Sequence, residues 1–185
     1  MVMGRSLIQH FAVVCLFLLS TVAITAIFAM SSSAKDSVSE KAKRIIGASA
    51  VMSEVSSGLS FPARIDTGAE TCSLHVEKIE IQDKTPRRSN NIGKSVRILL
   101  KDKAGKSQWI ESIVADAVRV KSSALPTGEY DHRYKVRLTL AWKDVRKEVL
   151  VTLNKRTDME YPLLVGRNFL RDDFLVDVSQ SSDEG

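Results

Sequence analysis

The stretch RIDTGAETCSLH, Arg64 to His75, decides how this chain of 185 residues is read. The preceding run Phe61 to Ile65 has the β-branched and apolar character of a strand, so Asp66 stands where that strand ends. Gly68 permits a sharp turn after it, and Ala69 is small enough for another segment of chain to come close. An aspartate so placed can do either of two things. It can close an Asx-turn before glycine, as in any β protein, or it can present a carboxylate at the mouth of a β fold.

Outward from this stretch the chain reads as mostly β. Short apolar runs broken by turn residues recur as RIIGASAV, FPARID, SVRILLK, WIESIVADAVRV, YKVRLTLAW, KEVLVTL and FLVDV. In KVRLTLAW, Val136, Leu138 and Leu140 share one face against Arg137 and Thr139, and KEVLVTL repeats the pattern after a turn near Lys143 and Asp144, which predicts a hairpin with one buried side. Gly105 in LKDKAGKSQW predicts a second. Strands spaced this closely, with no long helical period between them, predict a compact sandwich or barrel. One short helix is expected after Gly166 in GRNFLRDD, and residues 84–94 form a polar loop.

The ends differ from this middle. Phe11 to Met30 carries no charged side chain and is long enough to cross a bilayer core of about 30 Å, so residues 1–30 are a signal peptide or a membrane anchor, residues 11–30 being the membrane-contacting part. The excess of lysine and arginine after the run favours a cytoplasmic domain. The export-signal form of the N-terminus weighs more, and the expectation is an inner-membrane-anchored or exported protein with a periplasmic domain. Residues 31–43, SSSAKDSVSEKAK, are a flexible stalk, residues 44–179 the domain and residues 180–185 a polar tail. The chain has 27 basic and 22 acidic residues, and its basic residues come without interleaved aromatics or a nucleic-acid motif, so no nucleic-acid partner is expected. Cys72 is the only cysteine outside the leader, which excludes an intramolecular disulfide in the domain.

A hundred residues after Asp66 stands YPLLVGRNFL, in which the apolar strand Leu163 to Val165 runs into Gly166. An Asp-Thr-Gly-Ala loop followed by an apolar strand and Gly-Arg-Asn resembles the retropepsins, the retroviral-type aspartic proteases. The match is closer to a bacterial retropepsin-like family often labelled an ATP-dependent zinc protease. ARIDTGAETCSLH, VRVKSS, KRTDMEYPLLVGRNFL and FLVDVS occur in the order of that family's pattern, across Arg44 to about Ser179. The chain departs from it at Cys72, where serine is more usual, and at Glu70, where a basic residue is common.

The resemblance implies an acid-protease barrel with one short C-terminal helix, and an aspartic endopeptidase acting on a peptide or protein substrate. Asp66 is then the catalytic residue, Thr67, Gly68 and Ala69 support its loop, and Leu164, Val165 and Gly166 frame the cleft. An aspartic protease needs two carboxylates that cannot both ionise, one acting as base on water while the other donates to the scissile carbonyl. One Asp-Thr-Gly per chain therefore implies a homodimer that pairs Asp66 with its copy. The zinc label fits poorly: there is no His-Glu-x-x-His, and His75 and His132 are the only histidines outside the leader. Without a phosphate-cradling loop there is no ATP site either, so neither metal nor cofactor is expected. Two other readings stay open, a noncatalytic peptide-binding domain on the same fold and a zinc peptidase. Three loops are candidates for a flap over the substrate: Lys84 to Gly93, Asp102 to Lys106 and Ser122 to Asp131. Arg167 is expected to structure the domain as an ion-pair partner, Glu70 to be a solvated loop acid, His75 a satisfied histidine and Cys72 a small buried side chain.

Overall fold

The computed structural model describes residues 42–121, 129–156 and 159–180. In chain order the strands are β1 (Arg44–Ile46), β2 (Ser49–Glu54), β3 (Leu59–Ile65), β4 (Cys72–His75), β5 (Lys78–Ile81), β6 (Ser95–Lys101), β7 (Ser107–Lys121), β8 (Tyr130–Trp142), β9 (Val145–Asn154), β10 (Leu163–Val165) and β11 (Phe174–Val176). A 3-10 turn (Arg88–Asn91) and one short helix, α1 (Arg167–Leu170), complete them. Among the described residues no helix is long and apolar enough to cross a membrane; the apolar run Phe11 to Met30 lies outside them.

Nine strands form one sheet in the order β2-β3-β10-β4-β9-β8-β7-β6-β5, and a further pairing of β2 with β8 closes the first six into a barrel. Closure depends on β8 sharing out one of its edges. Val136 and the residues before it pair with β7, while Leu140 and Ala141 pair with Glu54 and Ser53 of β2. The alternation in YKVRLTLAW is what makes this possible, since Tyr134, Val136, Leu138, Leu140 and Trp142 all turn inward and are buried. Phe61, Met52, Leu74, Leu163 and Val151 meet them from the other strands. Each large side chain so buried contributes about 1.5–3 kcal/mol.

The expected hairpins are present, β8 to β9 turning at Lys143 and Asp144 and β6 to β7 turning around Gly105. RIIGASAV, read as one run, is two strands divided at Gly47: β2 joins the barrel, and β1 pairs in parallel with β11 in a separate two-stranded sheet. The loop at residues 84–94 is tied down. Asn91 is fully buried, accepts the Thr85 N–H at 2.8 Å and donates to Tyr134 Oη at 3.0 Å. Beyond Asp116, β7 and β8 pair only with each other among the described residues, as a ribbon of Ala117–Lys121 against Tyr130–Tyr134 that runs past the end of β6. Residues 122–128, most of the third flap candidate, lie outside the described residues, as do the leader, most of the stalk and residues 181–185.

Candidate active site

Asp66 follows the last residue of β3, and two neighbours fix it there. β10 lies parallel to β3 with Val165 beside Ile65, and the Val165 carbonyl accepts the Asp66 N–H at 2.9 Å. The carboxylate is then oriented by its own loop: Oδ1 accepts the Gly68 N–H at 2.9 Å and the Ala69 N–H at 3.2 Å. Oδ2 accepts no hydrogen bond among the described residues, and the side chain is half-buried. The bonds of an Asx-turn are therefore present. A bare turn does not need the second strand that frames this one.

The framing is tight. A Cβ on Gly166 would lie 2.7 Å from the Thr71 carbonyl carbon, 2.8 Å from its oxygen and 3.0 Å from the Ala69 oxygen, so only glycine lets β10 cross the loop this closely. Gly68 serves similarly. Its backbone stays out of the left-handed region, so what it supplies is room rather than the turn conformation: a Cβ would meet Asp66 Oδ1 at 3.1 Å. Leu163 and Leu164 pair with Leu74 and Ser73 of β4 on the other side.

Helix α1 locks the loop from outside. Arg167 is not an ion-pair partner among the described residues, contrary to expectation; its Nη1 donates to the Thr67 and Gly68 carbonyls, each at 3.0 Å, and its N–H to Ala69 O at 2.8 Å. A guanidinium with several fixed donors can gather carbonyls that converge in this way. Thr67 itself is exposed. Asn168 ties three segments: its Oδ1 accepts the Cys72 N–H at 3.0 Å and the Cys72 thiol at 3.2 Å, and its Nδ2 donates to Leu150 O at 2.8 Å. The Cys72 sulfur in turn accepts the Gly166 N–H at 3.4 Å. Burial pushes this thiol up to about 11, the backbone contacts of Gly166 and Phe169 opposing it, so Cys72 is an inert packing group. Glu70 is exposed and contributes its carbonyl to Asn168 N–H.

His75 is satisfied as expected. Its Nδ1 accepts the Arg156 N–H at 2.9 Å, and its Nε2 lies 3.6 Å from the Glu77 carboxylate. Arg156 is the residue that sequence reasoning missed. Its guanidinium lies in the electrostatic field of both Asp66 and Arg133, and burial first, then Arg133, press it below its usual value while Asp66 opposes them. Among the described residues no group of three or more His, Cys, Asp or Glu side chains could hold a metal ion. What the arrangement offers chemically is one oriented, accessible carboxylate per chain, with guanidinium charge nearby.

The chain matches, over residues 47–183, the profile of the RimB-like family, described as the retropepsin-like aspartic endopeptidase RimB. It is also similar to two proteins named as probable α-L-glutamate ligases, from Shewanella pealeana and Shewanella halifaxensis, at 32% identity over 124 residues in each case. Those matches take in 64% of this chain and 25% of each relative, so the chain spans about a quarter of the length of the curated relatives it matches. Among solved structures, a Legionella pneumophila protein of unknown function superposes with a TM-score of 0.60 at 25% identity, over 76% of this chain and 98% of that one. On the profile match, which covers most of the chain and contains both the Asp66 loop and its Gly166 frame, this chain belongs to the RimB-like family of retropepsin-like aspartic endopeptidases.

Proposed function

We propose that this protein is an aspartic endopeptidase whose active form is a homodimer, with Asp66 of each chain in one catalytic pair. The observation that carries the reading is the carboxylate itself: Oδ1 is engaged by the Gly68 and Ala69 N–H groups, while Oδ2 is left for a water or a second carboxylate. In the pair, the ionised carboxylate takes a proton from water as that water attacks the scissile carbonyl. The protonated carboxyl donates to the carbonyl oxygen; the carboxyl that took the water's proton then passes it to the departing nitrogen, the other recovers its own from the tetrahedral intermediate, and the intermediate collapses to the acid and the amine.

A surface suited to a second copy adjoins the loop. Ile45 and Leu175 face each other in register across β1 and β11 and are 54% and 57% exposed. A cavity of about 420 Å³ leads from Thr67 and Arg167 past Leu170 and Phe174 to Leu175 and Val176. A single chain gives that apolar strip no cover among its described residues, and a two-fold contact there would bring the loops together. The β7–β8 ribbon is the flap of this reading, since it carries Arg133, whose charge reaches Arg156 as that of Asp66 does.

For the substrate we propose an acidic peptide. Support comes from the Arg156 guanidinium, which the Asp66 charge reaches, and from the likeness to proteins named as glutamate ligases. Anchoring or export through residues 11–30, with the domain in the periplasm, belongs to the same proposal; the apolar run supports it, and fractionation of tagged cells tests it. The test of function is cleavage of a diverse peptide mixture between about pH 4 and 8, a range set by carboxylate titration, by wild type and Asp66→Asn, with and without chelator. Chelator-resistant cleavage that is lost in Asp66→Asn is the expected result. Peptide binding without cleavage by either form would make the domain a noncatalytic binding module, and loss on chelation would make it a metallopeptidase.

A further inference from the structure

The alternation of β9 is broken at one position. Val145, Val149 and Val151 are buried, and Lys147 lies among them on the same side of the strand, in register with the buried Leu140 of β8. An apolar side chain is expected there, and a lysine is costly unless its ammonium is fully engaged. Its Nζ donates to the Phe169 carbonyl at 2.9 Å and to the Arg171 carbonyl at 2.6 Å, and lies 2.6 Å from the Asp173 carboxylate. An ammonium has three N–H bonds, and these three acceptors match them one for one.

All three acceptors lie at the C-terminal end of α1 or just beyond it. The other end of α1 is the lock on the Asp66 loop, where the Arg167 N–H donates to Ala69 O and its guanidinium to the Thr67 and Gly68 carbonyls. Those two carbonyls belong to the same planar peptide units as the Gly68 and Ala69 N–H groups, which are the donors to Asp66 Oδ1. Arg167 and the Asp66 carboxylate therefore hold opposite ends of the same two peptides. Between the lock and Lys147 stands a helix of four residues, closed by the bonds from Leu170 N to Gly166 O at 3.3 Å and from Arg171 N to Arg167 O at 2.9 Å. One turn cannot hold its own shape in water, so its rigidity must come from what grips it. β9 does this at two points, through Lys147 and through the Leu150 carbonyl that accepts Asn168 Nδ2.

We propose that Lys147 is a positioning residue for Asp66. Its ammonium fixes the C-terminal end of α1, and α1 carries that constraint through Arg167 to the two peptides that orient the carboxylate. This rests on the peptidase reading above and extends it to a side chain that acts only through the helix.

Lys147→Met tests the linkage in the full chain, because it keeps an apolar stem in the barrel and removes the ammonium. Hydrogen exchange followed by mass spectrometry is expected to quicken about tenfold in residues 66–71 and 166–171, while β6 and β7 keep their wild-type rates. Asp173 adjoins β11, which belongs to the strip offered to a second copy, so cleavage is read at protein concentrations where specific activity no longer rises. There kcat falls about tenfold and KM stays within about twofold, as a displaced catalytic group requires. Arg167→Lys, which gives up the fork, causes a similar fall, and the double variant falls little further, since both changes break one linkage. Lys147→Gln, shorter and with two donors, shows the same pattern at smaller amplitude and carries the test if Lys147→Met does not fold. Exchange that quickens equally throughout, a kcat that is unchanged or recovers as protein is added, or losses that multiply in the double variant would overturn the proposal. If wild type cleaves nothing, the peptidase reading falls and exchange alone decides: quickening confined to the loop and α1 upholds the linkage, and its absence refutes it.

Discussion

Replacing Gly166 by alanine puts the frame of the active site to a quantitative test. The added Cβ falls 2.7 Å from the Thr71 carbonyl carbon and 2.8 Å from its oxygen, and ordinary contact begins at 3.4 Å, so the strand and the loop must part by about 0.7 Å. No flexible side chain can absorb this, because all three crowded atoms belong to the backbone. The same backbone carries the bonds from Arg167 N to Ala69 O, from Asn168 N to Glu70 O and from Asp66 N to Val165 O. Overpacking of this kind costs about 1–3 kcal/mol, and backbone that cannot yield puts Gly166→Ala at the upper end. For a domain of this size that lowers Tm by roughly 5–10 °C. Displacing Asp66 by a large part of an ångström reduces kcat by about 100-fold in the variant that still folds, since near-attack geometry tolerates little. Differential scanning calorimetry reads the first effect and peptide cleavage the second. A variant within 0.5 kcal/mol of wild type and fully active would show that β10 does not hold the loop in the way described.

Three further outcomes follow from the same contacts. Cys72→Ser is expected to be nearly neutral, because a hydroxyl can donate to Asn168 Oδ1 and accept from Gly166 N–H as the thiol does, whereas Cys72→Ala loses about 1–2 kcal/mol in urea melts. The thiol, raised to about 11 from 9.0, is protonated more firmly in the folded chain, so its contribution is complete below pH 9 and is lost as pH rises through 11. Relative to Cys72→Ser, wild type should therefore lose stability over that window, by about 1.4 kcal/mol for each pH unit between them, and parallel melts of the two would refute it. Asn168→Ala strands the Cys72 N–H and the Leu150 carbonyl and should cost about 2–4 kcal/mol, read by the same melts; a cost below 1 kcal/mol would mean that other partners replace them.

Much of the fold was legible in residues whose neighbours in sequence are also their neighbours in space. Val136, Leu138 and Leu140 announced a strand by alternation, and Lys143 with Asp144 announced its turn, because a hairpin is a local object. β4 was not legible: Cys72, Ser73 and Leu74 are buried without alternation, between two strands that come from far along the chain. Nor was the division of RIIGASAV, which depends on β11 arriving 130 residues later to pair with Ile45. The loop at residues 84–94 looked merely polar because one asparagine among several, Asn91, turns inward to Tyr134. At the site, the Asp66 loop could be picked out from its own residues, and its pairing with Gly166 from the resemblance to retropepsins. Arg156 was silent, since what ties it to His75 is the parallel register of β4 with β9, and nothing in KRTDMEY encodes that register.

The central claim is that two copies of Asp66 make one active site, and mixing tests it most directly. Wild type and Asp66→Asn chains, mixed in varied proportion at fixed total concentration and allowed to exchange, are assayed for peptide cleavage. If each site needs an aspartate from both chains, activity falls as the square of the wild-type fraction, to about a quarter at equal proportions. A linear fall, to about one half, would show that each chain works alone and would contradict the account.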